Sequence, residues 1–286
     1  MFTKKGSSMA IPKKTEERIK SALKRFMPVL QAQRDRDVSE ADTVTLVKDL
    51  FSELLGFDKY AELTSEHQIR GTFCDLAVRI DGKLRLLVEV KAIGIALNDR
   101  HVKQAVDYAA NQGIDFVVLT NAAHWRLYQV IFKKPIDSRL ITEFDLLGLN
   151  PKDDAALELV YLLSREGLMR GAIQEFSERK QATSRFLLAS LLVNDEDVVA
   201  AIRRELRKVT DILVPPDTIV QVLRQEVIKR EVFEGDEAME AERLVQRQAK
   251  SSVRSTRAPG PASPPSTGDP SMATQEDRPT EPATSG

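Results

Sequence analysis

The sequence has little cysteine, and its apolar runs are short. One cysteine, Cys74, among 286 residues excludes a disulfide within the chain and favours a reducing compartment. No apolar stretch approaches the roughly 20 residues that a membrane-spanning helix needs, and the N terminus lacks the apolar core of a secretion signal. We therefore expect a cytoplasmic protein with no membrane segment.

Net charge and a nucleotide-binding signature are missing as well. The 42 Lys and Arg residues nearly balance 43 Asp and Glu residues, leaving a net charge of −1. The chain therefore lacks the strong net positive charge that is typical of nonspecific nucleic-acid binding, so any DNA contacts must come from local basic patches. The basic residues between positions 4 and 36 give one such bias, although a run like this is more often a solvated helix face. The phosphate loop GxxxxGK[ST] is absent, so we expect no ATP site and no DNA translocation by this chain alone.

Two neighbouring segments of alternating polarity predict a β-hairpin. Apolar residues take the even positions of residues 74–80 and 84–91, from Leu76 to Val90, and Asp81-Gly82 between them indicates a tight turn. A two-residue turn would send the two apolar rows to opposite faces of the sheet. We therefore favour a three-residue loop of residues 80–82, with Gly82 in the left-handed conformation.

That register brings three functional side chains together. Asp75 would pair with Leu87 and lie diagonal to Glu89, and Lys91 would follow on the same row. Two such carboxylates repel unless a cation lies between them, and Mg²⁺ (or Mn²⁺) accepts one or two carboxylates together with water and phosphate oxygens. Asp75 and Glu89 are thus the predicted metal ligands, and Lys91 is predicted to hold or polarise the attacking water in phosphodiester hydrolysis. The alternative is an ordinary solvated strand face with a cross-strand ion pair.

The flanking segments predict a mixed sheet with helices around it. Helices are expected at residues 13–35, with a break or kink near Pro28, and from a Ser39 cap to just before Gly56. A first strand is expected at residues 62–70, a helix at 98–112, and further strands at 114–120 and 124–130. Gln104 and Tyr108 lie four residues apart and so share one face of the third helix. The order of these elements suits an α/β fold.

Taken together, these segments resemble the N-terminal domain of type I restriction enzyme R subunits, a branch of the PD-(D/E)xK nuclease superfamily. The matching pieces are LLGF at residues 54–57, Asp75 with Glu89-x-Lys91, Gln104-x-x-x-Tyr108, and GIDFVVLTNAAHWRLY at residues 113–128. They span roughly residues 40–130. The resemblance implies a restriction-endonuclease-like sheet, metal ligation by Asp75 and Glu89, a catalytic Lys91, and contacts from Gln104 and Tyr108 to the site or to the adjacent DNA backbone.

The sequence also departs from that family. Cys74 stands where the superfamily name has proline, a position that packs and does no chemistry. The upstream helical acid of the family is ambiguous here, because Glu40, Asp49 and Glu53 are all candidates. The ATP-driven motor that follows in R subunits is absent from this chain.

The remainder of the chain has a different pattern. Apolar spacing of three and four residues predicts a helical bundle over residues 151–249, and Ser, Thr, Pro, Ala and Gly dominate a tail at 250–286 that we expect to be disordered. The predicted domains are therefore an N-terminal helical extension at 1–37, a nuclease-like domain at 38–150, the bundle and the tail. Leu-rich stripes in the bundle offer homo-oligomerisation as an alternative role.

Three functions remain open from the sequence. We favour a Mg²⁺-dependent DNA endonuclease-like protein. The main alternative is a catalytically silent module that binds nucleic acid or protein in a defence or regulatory system. The third is a subunit that works with a motor or specificity subunit encoded separately.

Overall fold

A computed structural model of the protein describes residues 9–69 and 72–255. The chain forms two compact units, Met1–Thr183 and Ser184–Gly286. The boundaries predicted from the sequence, after residues 37 and 150, stay a prediction. The helix of residues 13–35 and the helices of residues 154–182 belong to the first unit. The first helix and the helix directly after the sheet share one apolar cluster with the sheet.

The described residues of the first unit form six α-helices and six strands. Its helices are α1 (Lys13–Asp35), α2 (Glu40–Asp49), α3 (Asp99–Gln112), α4 (Asp154–Leu162), α5 (Arg165–Met169) and α6 (Ala172–Ala182). Its strands are β1 (Leu63–Ile69), β2 (Thr72–Ile80), β3 (Lys83–Val90), β4 (Phe116–Thr120), β5 (His124–Ile131) and β6 (Asp137–Asp145). A π-helical segment, Leu50–Leu54, extends α2, and a 3₁₀ turn, Leu146–Gly148, follows β6.

The strands form one mixed sheet in the order β1-β2-β3-β4-β5-β6. β3 and β4 are parallel, with α3 in the connection between them, and the other neighbouring pairs are antiparallel. This confirms the predicted α/β fold class. The sequence misses β6, which lies at the edge of the sheet and in which Ile141 is the buried residue. An edge strand with so little burial carries almost no alternating signal.

Apolar residues cover both faces of the sheet. One cluster joins the sheet to α1, α2 and α4, and contains Leu76, Val88 and Trp125. The other lies under α3 and contains Ala77, Leu87 and Tyr108. The ends of β2 and β3 therefore lie between two layers of helices.

The turn between β2 and β3 differs from the prediction. Ile80 pairs directly with Lys83, so Asp81 and Gly82 form a two-residue turn, with φ of 52° and 73°. The apolar rows nevertheless stay on one face, because Arg79 pairs with Leu84 and Val78 with Leu86, which leaves Arg85 as a bulge.

The bulge changes which residues share a face. Leu84 packs under α3, opposite to the face that strict alternation predicts for it. Away from the bulge, Cys74 is buried as predicted but packs in the cluster under α3 rather than on the face of Leu76, and its Sγ lies 3.2 Å from the carbonyl oxygen of Val88. Burial raises the pKa of Cys74 to about 12.

The two N-terminal helices follow the sequence signals closely. α1 has the predicted bounds and runs through Pro28 as one helix rather than breaking there. α2 begins after Ser39, whose hydroxyl accepts a hydrogen bond from the Asp42 amide. The π-helical extension of α2 ends before Gly56, which has a φ of 84° and so stops the helix.

The second unit is helical. It contains α7 (Arg185–Asn194), α8 (Glu196–Thr210), α9 (Pro216–Val222) with a π-helical extension (Leu223–Val227), a 3₁₀ turn (Arg230–Phe233) and α10 (Asp236–Ser255). α10 packs along α7. It reaches Ser255, past the predicted start of the tail at 250, and the rest of the predicted tail lies outside the described residues. In the described part of the chain, no helix has the length and apolar character to cross a membrane.

Candidate functional site

Asp75, Glu89 and Lys91 come together where β2 begins and β3 ends. The pairing of β2 with β3 begins at Leu76 and Val88, so Asp75 and Glu89 each lie one residue beyond the last paired residues. The Asp75 carboxylate accepts a hydrogen bond of 2.7 Å from the amide of Val90. The Lys91 ammonium donates one of 2.7 Å to Glu89 Oε1. The first hydrogen bond orients the Asp75 carboxylate, and the second holds the Lys91 ammonium against Glu89.

A third acid reaches this cluster from a helix. Lys91 Nζ lies 3.8 Å from Glu40 Oε2, and Glu40 is the first residue of α2. The other two acids that the sequence leaves open are engaged elsewhere. Asp49 binds Lys59 at 2.6 Å, and Glu53 forms an ion pair with Arg25. Of the three acids, Glu40 is therefore the one that lies beside Lys91.

The cluster carries an excess of negative charge. Burial raises the pKa of Glu89, and the charges of Asp75 and Glu40 raise it further, against the opposing effect of Lys91. Burial alone would lower the pKa of Lys91, but its hydrogen bond to Glu89 and the surrounding carboxylates raise it above its ordinary value. The side chains are largely enclosed, with 13% of Glu89 and 21% of Lys91 exposed. Lys91 thus remains charged at neutral pH. For ionised Glu89, the attraction of Lys91 does not offset the combined effect of burial and the neighbouring carboxylates.

The described residues contain no group of three or more His, Cys, Asp or Glu side chains arranged to hold a metal ion. Any cation here would rest on the carboxylates of Asp75 and Glu89 with water completing its shell.

Gln104 and Tyr108 lie together on α3 but in different environments. Gln104 is exposed, whereas Tyr108 is buried in the cluster under α3, and this burial raises its pKa. Both line a shallow surface groove, whose full lining among the described residues is Arg100, Lys103, Gln104, Asp107, Tyr108 and Asn111. Asp75, Glu89 and Lys91 are not in that set. The roles assigned to Gln104 and Tyr108 therefore stay predictions.

The start of α3 is anchored to β5 by contacts that sequence reasoning misses. The Tyr128 hydroxyl donates a hydrogen bond of 2.8 Å to Asp99, the first residue of α3. Arg126 lies 3.6 Å from Asp99 and 2.9 Å from Glu143. The alternation of residues 124–130 does put Arg126 and Tyr128 on one face of a strand, but the sequence does not show that Asp99 meets them.

The fold and the site define the chain as an α/β protein that brings acidic side chains and a lysine together at the shared end of two strands, followed by a helical unit. A sequence profile of the family described as type I restriction enzyme R protein N terminus matches residues 51–138. This match confirms, for that segment, the resemblance to the N-terminal domain of R subunits. The segment covers under a third of the chain and runs from the π-helical extension of α2 into β6. Searches of curated proteins and of solved structures found no match.

Proposed function

We propose that the first unit is a metal-dependent nuclease domain of the restriction R-subunit type, which hydrolyses phosphodiester bonds in DNA. The observation that carries this proposal is the convergence of Asp75, Glu89, Lys91 and Glu40 at one end of the sheet. The profile match over the segment that contains three of these residues gives it independent support.

The side chains of the site fit a hard divalent cation. Asp75 and Glu89 offer carboxylate oxygens, and Mg²⁺ or Mn²⁺ commonly takes only one or two from the protein and keeps several waters. Besides burial, the nearby carboxylates of Asp75 and Glu40 raise the pKa of Glu89, and a cation would offset these like charges. When bound, the cation would acidify a water molecule and neutralise charge that develops on the phosphate.

The protein groups have separate roles in this proposal. Asp75 and Glu89 hold the cation, and the hydrogen bond from the Val90 amide keeps the Asp75 carboxylate oriented. Lys91 stays protonated and orients the attacking water or stabilises the charge on the phosphate. Glu40 holds the lysine from the helical side, so that Lys91 is not bound to Glu89 alone.

The remaining assignments concern partners. Gln104, exposed on α3 beside Arg100 and Lys103, is proposed to contact the DNA backbone. Tyr108 would support this surface from below, because its side chain is 4% exposed. A separately encoded motor or specificity subunit would supply ATP-driven movement or sequence recognition. A cytoplasmic location is proposed from the single buried thiol.

A cleavage assay tests the proposal directly. Purified protein is incubated with supercoiled and linear DNA and Mg²⁺ or Mn²⁺, alongside Glu89→Gln, Lys91→Ala and, as a matched ion-pair control, Glu53→Gln. We expect the wild type and the Glu53 variant to cut, and the other two variants to lose activity by a factor on the order of 100 or more. Cleavage that survives both site substitutions would come from a contaminant and would contradict the proposal.

A catalytically silent binding module is the second candidate. The net charge of −1 and the lack of a GxxxxGK[ST] phosphate loop in this sequence favour it. In that case the wild type would bind DNA or a protein partner with no metal-dependent cleavage, and Lys91→Ala would leave the binding unchanged.

A further inference from the structure

The direction of the Lys91 side chain depends on a segment that leaves the sheet. The Lys91 amide still donates a hydrogen bond of 2.8 Å to the Thr120 carbonyl on β4. The next residues form a turn, in which the Ile95 amide donates a hydrogen bond of 2.9 Å to the Ala92 carbonyl. Sheet pairing therefore fixes the backbone up to Lys91 and not beyond it. Other contacts must hold the segment 92–95.

One contact comes from α2. The Ile93 amide donates a hydrogen bond of 3.2 Å to the hydroxyl of Thr43, and that hydroxyl donates one of 2.8 Å to the carbonyl of Ser39. Thr43 is completely buried. Ser39 caps α2 directly before Glu40, so the Thr43 hydroxyl connects the turn that carries Glu40 with the segment that follows Lys91.

The second contact comes from the turn between β4 and β5. Asn121 donates hydrogen bonds from Nδ2 to the carbonyls of Ile93 and Ile95, at 3.1 and 2.9 Å, and its Oδ1 accepts one of 2.7 Å from the His124 amide. Only 3% of Asn121 is exposed. The amide and the carbonyl of Ile93 are thus each bonded to a buried side chain, from opposite sides.

Buried side-chain hydrogen bonds of this kind hold backbone firmly, because breaking one leaves a buried polar group without water. If these bonds had only a structural role, any hydrogen-bond partner for each buried backbone N–H and C=O group of the segment would be sufficient. Here both bonds converge on the residue two positions after Lys91, and one of them continues to the helix turn that bears Glu40. The arrangement links the lysine and its helical acid through side chains that touch neither.

We propose that Thr43 and Asn121 are positioning residues that set Lys91 against Glu40 and Glu89 for the reaction. This inference rests on the proposed nuclease function. The two side chains act through the backbone of Ile93, so their loss should move the lysine without removing any charge from the site.

The test compares Thr43→Val, which keeps the shape and removes the hydroxyl, with Thr43→Ser, which restores the hydroxyl. Asn121→Ala removes the contact from the other side and keeps the test valid if the valine variant folds poorly. Thr15→Val is the matched control, because Thr15 is also a buried helical threonine, and its hydroxyl bonds Glu166. Steady-state cleavage with Mn²⁺ gives kcat and KM, and hydrogen exchange of the amides over residues 91–97 reports the segment itself.

We expect Thr43→Val and Asn121→Ala to lower kcat on the order of tenfold to a hundredfold with little change in KM. Amide exchange over residues 91–97 should accelerate in the same variants. Thr43→Ser should recover both properties, and Thr15→Val should lower Tm while leaving kcat unchanged. Wild-type kcat in Thr43→Val, or unchanged exchange in both variants, would overturn the inference.

The two proposals fail in different ways. If the wild type does not cut DNA with either metal, the nuclease function fails, whereas the exchange experiment still reports whether the two side chains hold the segment. If the wild type cuts and the variants cut equally well, only the positioning roles fail.

Discussion

The Lys91 ammonium lies 3.8 Å from the Glu40 carboxylate, which projects from the first turn of α2. This relationship separates Glu40 from Asp49 and Glu53, the other acids upstream of the strands. It places Glu40 beside Lys91 and gives it an expected phenotype different from that of Asp49 and Glu53.

We predict that Glu40→Gln lowers the DNA cleavage rate on the order of tenfold to a hundredfold, because it removes a charge that holds Lys91 from the helical side. Asp49→Asn and Glu53→Gln should cleave at the wild-type rate, since these acids pair with Lys59 and Arg25 instead. Single-turnover rates at saturating metal measure the effect. An equal loss of cleavage rate in all three variants would show that the negative charge of this helical stretch, and not the contact of Glu40 with Lys91, is responsible.

Glu89→Gln should stabilise the folded protein when no divalent metal is bound. Burial raises the pKa of Glu89, so ionised Glu89 is less favourable in the folded chain than in the unfolded chain near neutral pH. A neutral amide of the same shape removes that cost. The expected result is a higher Tm for Glu89→Gln in EDTA, measured by thermal denaturation at pH 7.

Metal should reverse this order. Added Mg²⁺ should raise the Tm of the wild type, with a stabilisation of about 1.4 kcal/mol at ten times its dissociation constant. Glu89→Gln lacks one of the two proposed ligands and should show little shift. If neither Mg²⁺ nor Mn²⁺ changes the Tm of the wild type, this result would contradict metal binding by Asp75 and Glu89.

Sequence patterns predict the framework of the site because they report which face of an element is buried. The bounds of α1, the Ser39 cap and the stop at Gly56 all follow from such local signals. The hairpin shows where this information ends. The Asp81-Gly82 turn is shorter than predicted, and the bulge at Arg85 that keeps the apolar rows on one face has no signature in the sequence.

Long-range contacts account for what the sequence could not supply. Glu40, Asp49 and Glu53 have the same chemistry on one helical stretch, and only the packing of α2 beside β3 distinguishes them. In the sequence, nothing distinguishes Thr43 from other helical residues, and only the structure shows that its hydroxyl accepts a hydrogen bond from the Ile93 amide. These features depend on residues far apart in the chain, which no local periodicity encodes.

The ion pair between Arg18 and Glu166 should make stability depend on pH. Burial would raise the pKa of Glu166, but hydrogen bonds of 2.6 and 2.7 Å from Arg18 outweigh it and hold the pKa below its ordinary value. A carboxylate with a lowered folded pKa contributes stability above its unfolded pKa, near 4.5, and loses that contribution as the pH falls through the folded value.

Glu166→Gln should therefore cost about 1 kcal/mol at pH 7, a figure that allows for the partly exposed position of the pair. The difference from the wild type should disappear below the folded pKa of Glu166. Urea denaturation at several pH values, followed by fluorescence of the single, buried Trp125, provides the measurement. A difference that stays constant from pH 7 to acid would mean that lost packing, and not charge, is responsible.

Gly56 and Gly82 give a matched pair for the role of Arg18. Both have positive φ, 84° and 73°, so alanine at either position should cost about 1 kcal/mol of backbone strain. At Gly82 an added Cβ meets nothing within 4 Å. At Gly56 it would lie 2.5 Å from the Arg18 guanidinium carbon and displace that group from the carbonyls of Leu54 and Leu55, at 3.3 and 3.2 Å.

Gly56→Ala should thus lose about 2 to 3 kcal/mol, since displaced hydrogen bonds from Arg18 add to the strain, whereas Gly82→Ala should lose about 1 kcal/mol. The free energy of unfolding from urea titrations, again followed by Trp125 fluorescence, measures both. Combining Gly56→Ala with Arg18→Ala tests the cause, because without the guanidinium the extra loss at Gly56 should vanish and the two glycine sites should become equivalent. If the extra loss persists in the double variant, the clash with Arg18 is not its origin.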